Sequence, residues 1–427
     1  MRYYLAFMLS IFFKLAICQG YTEFLTGNPN DFIVSPDFGI CMMGGASEND
    51  EAMIWFLNRA NGGDVVVLRA SGSDGYNNYF YSQLGVTINS VRTFVISNAE
   101  GATNSYVLDK IEKAEAIWFA GGDQYDYVSF FKNNAMEDAI NDFVNIKGGA
   151  IGGTSAGMAI LGGGYFSAEN GTVTNAQALG DPYHNRMTLG YNDFLEIPYL
   201  DQVITDTHYD DPDRRGRHSV FLARYANDNT SRAFGIACNE YTAVCVDENG
   251  MANVYGEYPT YPEYAFFLQS NCTDEFLPET CTNGNPLHWV RNDEALKVYK
   301  VPGTLNGQNY FDLSDWQSGS GGEWQNWYVN NGTFATSSSI NPNCNDALSI
   351  EDIANTDLKV LPNPFSDYVS IKTEIENLNI KMFDVSGKQV GVELYENKID
   401  TKALANGIYF IIIENEDYKQ TFKLIKR

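Results

Sequence analysis

Lys147-Gly-Gly-Ala-Ile-Gly-Gly-Thr-Ser-Ala-Gly-Met-Ala-Ile160 is the stretch on which the reading of this chain turns. It opens as a short glycine-rich strand that ends at Gly152-Gly153, and Ala156 to Leu161 can start a helix. Between them, Gly153-Thr-Ser-Ala-Gly157 fits the G-x-S-x-G elbow, which sets a serine on a sharp strand-to-helix turn. The backbone at such a serine is strained, so its neighbours must be small, and the helix N-terminus aims its amides at a reacting carbonyl. A phosphate-binding or merely tight turn has the same spelling. Ser155 is therefore a candidate nucleophile whose case depends on what surrounds it.

Outward from the elbow, short apolar runs alternate with amphipathic stretches between about Asp37 and Glu240. Gly39 to Met43, Asp64 to Leu68, Thr93 to Ile96 and Ala116 to Ala120 read as buried strands. Asn49 to Ala60, Tyr106 to Lys113 and Met136 to Ile146 read as helices between them. This alternation predicts an α/β domain, a mostly parallel sheet covered on both faces. The strand Ala116–Ala120 runs straight into Gly121-Gly122-Asp123-Gln124. Glycines at the carboxyl end of a strand let amides approach a ligand there, so the amides of Gly122 and Ala156 form a candidate oxyanion hole.

A serine hydroxyl needs a base, and the chain has four histidines. His288 lies in a loop-rich region, His184 sits in a turn without an evident partner, and His218 follows an arginine cluster. His208 ends the strand-like run from Val203, where a parallel sheet presents reactive groups, and is the expected base. An acid must fix its tautomer. Asp206 is too close in sequence, and Glu169 is the only acid between the elbow and Asp181, so Glu169 is the expected third member.

The 427 residues exceed one ordinary core and imply two or three units. A hydrophobic share of 44% against 19% charged excludes extensive disorder. Acidic residues outnumber basic ones 54 to 28, and the net charge of −26 makes nucleic acid an unfavourable partner. Residues 1–18 read as a cleaved signal peptide, with Arg2 before an apolar run and small residues at Ala16 and Cys18. Lys14 is irregular there, and Ile17 disfavours a lipoprotein site at Cys18. No later segment is long and apolar enough to span a bilayer. Six cysteines remain after the signal, and Cys272 with Cys281, flanking a loop that bears Pro278, are the expected disulfide. No cysteine and histidine spacing suggests a metal, and no cofactor is expected.

After Val246 the chain turns aromatic and rich in Asn and Gly, and 311–334 reads as β-structure extending the core. Residues 19–334 are thus the expected main domain, with its β-rich extension after about 250. Residues 335–356 read as a Ser/Asn-rich linker. Residues 357–427 alternate apolar and polar positions between turns and read as a small all-β sandwich.

The segments GGDQ at 121–124, GGTSAGM at 152–158, DTHYDDPDRRGR at 206–217 and AFGIACNEYTAVCV at 233–246 together resemble the cyanophycinase and aspartyl-dipeptidase family of serine peptidases. They cover roughly 40 to 250 in one order and spacing. The resemblance implies a three-layer, doubly wound sheet of the class I glutamine-amidotransferase type. It also implies a Ser155-His208 pair, an oxyanion site at Gly122 and Ala156, and Gln124 and Asp206 holding the substrate. Arg215 and Arg217 match an arginine-rich stretch that grips a β-aspartyl-arginine unit, since guanidinium groups bind carboxylates bidentately. The chain departs from that pattern at the inserted Asp210, Asp211 and Asp213, at Thr207, and at Val220 where a third arginine is expected. The implied function is a secreted serine exopeptidase acting on peptide or isopeptide bonds beside aspartyl residues, cyanophycin-like chains among them, with a homodimer kept among the expected partners. The alternatives are a catalytically silent peptide-binding surface protein and an acyl transferase of the same fold.

The tail has its own resemblance. VLPNPF at 360–365, FDVSGK at 383–388, LANGIYF at 404–410 and the terminal KLIK at 423–426 look like the type IX secretion sorting domain of Bacteroidota. Such a tail implies contact with the type IX machinery, export to the cell surface or beyond, and removal of the tail in the linker.

Overall fold

The computed structural model describes residues 20–272, 275–339 and 359–427, the last apart from 362, 364, 373–378, 386, 392–393, 396–397 and 415–418. The expected signal peptide at 1–18 and all but the first residues of the expected linker lie outside the described residues. The chain divides into two units between Cys344 and Asn345.

The first unit is mixed α/β with two large sheets. In the ten-stranded sheet, Ser90–Ile96, Asp64–Arg69, Ala116–Phe119, Ala150–Thr154 and Gly39–Met43 lie side by side and parallel. Tyr21–Gly27 closes one side antiparallel, and Ala243–Val246, Met251–Tyr255, Asn309–Asp312 and Gly319–Ser320 continue the other. Parallel strands are buried on both faces, so their sequences are continuous apolar runs such as Val65-Val-Val-Leu68. Alternate positions point into different cores. Cys41, Met43, Val65, Val67 and Trp118 join Met53, Phe56 and Leu57 of the helix Asp50–Asn58. Ile40, Met42, Val66, Leu68 and Phe119 join Val107 and Ile111 of the helix Ser105–Lys113 and Met136 and Ile140 of Ala135–Asp142. Helices therefore pack on both faces of these parallel strands, but the expectation of a mostly parallel sheet is not met. Among the described residues antiparallel pairings outnumber parallel ones in this sheet, and in the second sheet as well.

The helix Asp50–Asn58 starts where Asn49 accepts the Ala52 amide at 3.1 Å, with Asp50 and Glu51 complementing its N-terminal dipole. Its Phe56 meets the fully buried Trp118 with ring centres 5.2 Å apart. Truncating Trp118 to alanine would cost about 3–5 kcal/mol.

The eight-stranded sheet runs in the order Thr333–Ser338, Glu323–Asn330, Leu296–Pro302, Tyr264–Ser270, Phe234–Cys238, Val203–Asp206, Gly164–Phe166 and Leu189–Tyr191. Phe234–Cys238 and Val203–Asp206 pair in parallel. Ile236, Cys238, Phe267 and Val301 of this sheet share one core with Ile40, Met42, Val244 and Val246 of the other. The β-rich residues after about 250 are thus not an appendage: their strands complete both sheets. The expected linker is shorter than its composition suggests, because the strand Thr333–Ser338 pairs with Glu323–Asn330 across position 335. Polar side chains read as a linker there because this is an edge strand, largely exposed.

The expected Cys272–Cys281 disulfide is not formed. Cys272 is disulfide-bonded, but Cys281 is a buried free thiol, held among Leu179, Leu287 and Trp289 in the core of the second sheet. Loop flanking alone does not bring two side chains together.

The second unit has two four-stranded antiparallel sheets, one containing Tyr368–Lys372 and Lys398–Asp400, the other Asn379–Asp384 and Gly407–Glu414. Val369, Ile371 and Ile399 of the first share a core with Met382, Ile411, Ile413 and Leu424 of the second, the sandwich that the alternating pattern predicts.

Candidate active site

Ser155 follows the strand Ala150–Thr154 and precedes the short helix Ala156–Ala159, with φ +52° and ψ −116°. A non-glycine residue held there costs on the order of 1–3 kcal/mol, which the surroundings must offset. They do so by close approach. A Cβ on Gly153 would lie 2.5 Å from the Gly157 carbonyl carbon, and one on Gly157 would lie 2.2 Å from the Phe119 oxygen. Both glycines of the elbow are required by packing.

His208 ends the stretch that begins with the strand Val203–Asp206, and its Nε2 lies 2.8 Å from Ser155 Oγ. On the other side, His208 Nδ1 lies 2.5 Å from Glu240 Oε1. Glu240 follows the neighbouring parallel strand Phe234–Cys238, so the imidazole and its carboxylate partner come from adjacent strand ends. With the carboxylate accepting from Nδ1–H, Nε2 is left to accept from the serine hydroxyl. Glu169, the expected third member, is elsewhere: its Oε1 accepts from the Tyr125 hydroxyl at 3.1 Å. The elimination that led to Glu169 counted acids along the chain near the elbow, whereas the sheet brings in an acid from 85 residues beyond Ser155. The signal for Glu240 was in the segment AFGIACNEY itself, an acid just past an apolar strand.

Three consecutive carbonyls hold this arrangement. The end of the strand Gly39–Met43 and the two residues after it accept from all three segments of the site: Met43 O from Ser155 N at 3.0 Å, Gly44 O from His208 N at 2.8 Å, and Gly45 O from Tyr241 N at 3.1 Å. Glycines are needed at both positions. A Cβ on Gly44 would lie 2.0 Å from Asn239 O, and one on Gly45, at φ +119°, would lie 2.4 Å from His208 Nε2. The sequence offers the same cue here as at Gly121-Gly122, a glycine pair at the carboxyl end of an apolar strand.

A cleft of about 580 Å³ opens over Ser155 and His208, lined also by Gly122, Gln124, Ala156, Phe166, Thr172, Arg214 and Arg217. Gly122 and Ala156, the expected oxyanion donors, both border it, and Ala156 opens its helix, so its amide has no intrahelical acceptor. Gln124 borders it too, its Nε2 donating to Phe166 O at 3.4 Å.

The three arginines separate. Arg217 binds Asp206 bidentately, at 2.9 and 2.5 Å, and donates to Thr172 Oγ1 and Val173 O. Asp206 and Arg217 are both buried. Burial pushes the Asp206 carboxyl up, but Arg217 outweighs it and holds the group below its ordinary value. Asp206 and Arg217, expected to hold substrate, thus hold each other in the cleft wall. Arg215 points away from the cleft. It pairs with Asp213 at 2.9 and 2.7 Å and lies against the Phe334 ring, 5.5 Å from its centre. Arg214 takes the cleft position instead: its Nη1 donates to Thr207 O at 2.9 Å, and its buried Nε has no partner. Arg214, which immediately precedes the helix Arg215–Asn229, borders the cleft and Arg215 does not.

Among the described residues, no group of three or more His, Cys, Asp or Glu is placed to hold a metal, and no helix is long and apolar enough to cross a membrane.

Comparison with solved structures finds similarity to a peptidase from an acI-B1 actinobacterium, 15% identical over 54% of this chain and 95% of that one, with a TM-score of 0.40. A putative peptidase E protein from Listeria monocytogenes EGD-e is similar at 14% identity over 52% of this chain and 99% of that one, with a TM-score of 0.34. No curated protein matches the chain. Residues 359–427 match the family model of the secretion system C-terminal sorting domain. That match covers the described part of the second unit, whose two small sheets it accounts for. The second unit is therefore a secretion system sorting domain, and the protein is a cargo of type IX secretion, carried to the cell surface or the extracellular space.

Proposed function

We propose that this protein is a secreted serine peptidase of the cyanophycinase and aspartyl-dipeptidase type, with Ser155 as nucleophile, His208 as base and Glu240 as the acid that orients it. The observation that carries the reading is the unbroken relay from Ser155 Oγ to His208 Nε2 at 2.8 Å and from His208 Nδ1 to Glu240 at 2.5 Å, set on a strained elbow. A silent binding surface has no physical need for such a relay.

In the proposed reaction, Ser155 Oγ attacks the scissile carbonyl carbon as its proton passes to His208 Nε2. Glu240 balances the imidazolium that forms. The carbonyl oxygen becomes an oxyanion, held by the amides of Gly122 and Ala156. His208 then gives its proton to the leaving amine and the C–N bond breaks. Water, deprotonated by the same imidazole, releases the acyl group and restores Ser155.

The part of the reading that concerns an acidic residue beside the scissile bond is supported by Arg214. Among the described residues no carboxylate pairs with this half-buried guanidinium, and it borders the cleft. A substrate carboxylate would complete it. Helices on both faces of the parallel strands support the three-layer, doubly wound family fold as part of the same proposal. The route outward would begin with the signal peptide at 1–18 and end with loss of the sorting domain in the residues before it.

The test is Ser155→Ala. Wild-type protein should be labelled by a fluorophosphonate and should cut a library of α- and β-aspartyl peptides, and the variant should do neither. Hydrolysis that survives in Ser155→Ala overturns the assignment, while a strict preference for ordinary α-peptides removes only its isoaspartyl part.

A further inference from the structure

We propose that His218, working through Tyr209, is a positioning residue for the base His208. The inference rests on the serine-peptidase reading above.

His208 has φ +45°, the left-handed region that a non-glycine residue leaves unless it is held. Two residues later the chain enters the exposed stretch Asp210 to Asp213. Something must fix the backbone between, and the helix Arg215–Asn229 supplies it from one turn. Arg217 takes Asp206, two residues before the base, and His218 takes Tyr209, the residue after it. The Asp206 contact belongs to the cleft wall already described, whereas neither Tyr209 nor His218 lines the cleft.

The chemistry of this contact is defined. His218 is fully buried. Its Nε2 lies 3.0 Å from Ile204 O, a carbonyl that only accepts, so Nε2 carries the proton. Nδ1 is then the acceptor, and the Tyr209 hydroxyl donates to it over 3.1 Å. One imidazole thus joins the strand that leads into His208 to the side chain that follows it. Tyr209 is itself buried, its ring perpendicular to His218 at 5.5 Å and packed against Phe266 at 5.1 Å, and its amide donates to Cys238 O. Room for the imidazole comes from Gly235, where a Cβ would stand 2.8 Å from Nε2. Burial keeps His218 neutral by lowering its pKa, which suits the single-proton arrangement.

The experiment compares fluorophosphonate labelling of the full chain in wild type, Tyr209→Phe, His218→Leu and the double variant. Tyr209→Phe removes one oxygen and keeps the ring, so it tests the contact without emptying the core. The expected result is a fall on the order of tenfold in the maximal labelling rate, below the roughly 100-fold that a 1 Å misplacement costs, with half-saturation by the probe unchanged. The double variant should label no more slowly than His218→Leu alone, because both remove the same contact. A melting temperature within a few degrees of wild type accompanies the loss in Tyr209→Phe. Wild-type labelling rates in Tyr209→Phe, or losses that simply multiply in the double variant, overturn the inference. Wild-type protein that does not label at Ser155 instead overturns the underlying reading, and the two failures are therefore distinct.

Discussion

Replacing Glu240 with glutamine separates the proposed orienting acid from the one that chain order suggests. The side chain keeps its size and one oxygen, so Nδ1–H retains an acceptor, but the negative charge 2.5 Å from that nitrogen is lost. In the proposed attack His208 becomes an imidazolium, and the missing charge is felt only then. Two unit charges with centres about 4 Å apart interact by about 4 kcal/mol at an effective dielectric of 20. His208 and Glu240 side chains are 25% and 26% exposed, so solvent screens part of this. About 2–3 kcal/mol remains, which is roughly a 30- to 150-fold loss in the rate of acylation. Glu169→Gln should stay within about twofold, since the exposed Glu169 carboxylate accepts from the Tyr125 hydroxyl, away from His208. The assay is the fluorophosphonate labelling rate at fixed pH, with circular dichroism to confirm that both variants fold. A large loss in Glu169→Gln beside an unimpaired Glu240→Gln would refute the electrostatic argument.

Other perturbations follow from the same geometry. Gly45→Ala sets a methyl group against His208 Nε2 and should cost roughly 100-fold in labelling, while a distant exposed glycine such as Gly85, with nothing near its Cβ position, should show no loss of labelling when changed to alanine. Gly157→Ala forces a methyl against the Phe119 carbonyl and should lower stability by about 1–3 kcal/mol, read as a shifted urea midpoint. Arg217→Met leaves the Asp206 carboxylate buried without its partner and should cost about 3–5 kcal/mol at neutral pH. Because the Asp206 value is depressed in the folded state, the pair's contribution is complete above the unfolded value of about 4 and is lost as the pH falls through the folded value. The gap in melting temperature between wild type and Arg217→Met should therefore narrow between pH 7 and pH 2, and a constant gap counts against the pair. Deleting residues 359–427 should leave the protein inside the cell envelope, seen by fractionation, and reappearance in the medium would show a second export signal.

Much of this was legible in the sequence, and the limits have physical causes. Val65, Val66 and Val67 announce a strand buried on both faces because no polar side chain interrupts them. Gly153-Thr-Ser-Ala-Gly157 announces the elbow because its glycines have no room for a Cβ. His208 was legible as the residue at a strand end. Glu240 was not, because which strand end lies beside another is decided by sheet order, and a local count of acids carries no information about it. Arg215 misled for a related reason: which of the adjacent Arg214 and Arg215 borders the cleft depends on where the helix begins and on Asp213, which takes Arg215, and composition records neither. Cys281 misled because a loop between two cysteines says nothing about where each side chain points.

The three carbonyls of Met43, Gly44 and Gly45 have a mechanical consequence. Ser155 follows a strand of the ten-stranded sheet, His208 follows one of the eight-stranded sheet, and Glu240 lies where the chain crosses from the second to the first. The relay is therefore a gauge of the alignment between two sheets, read at a single point. A slip of one sheet along their shared core would part hydroxyl from imidazole while every strand kept its own ladder. Under gentle denaturant, chemistry at Ser155 should fade before the circular dichroism of the strands does, so that the protein loses its reactivity as a machine loses its timing, with every part still intact.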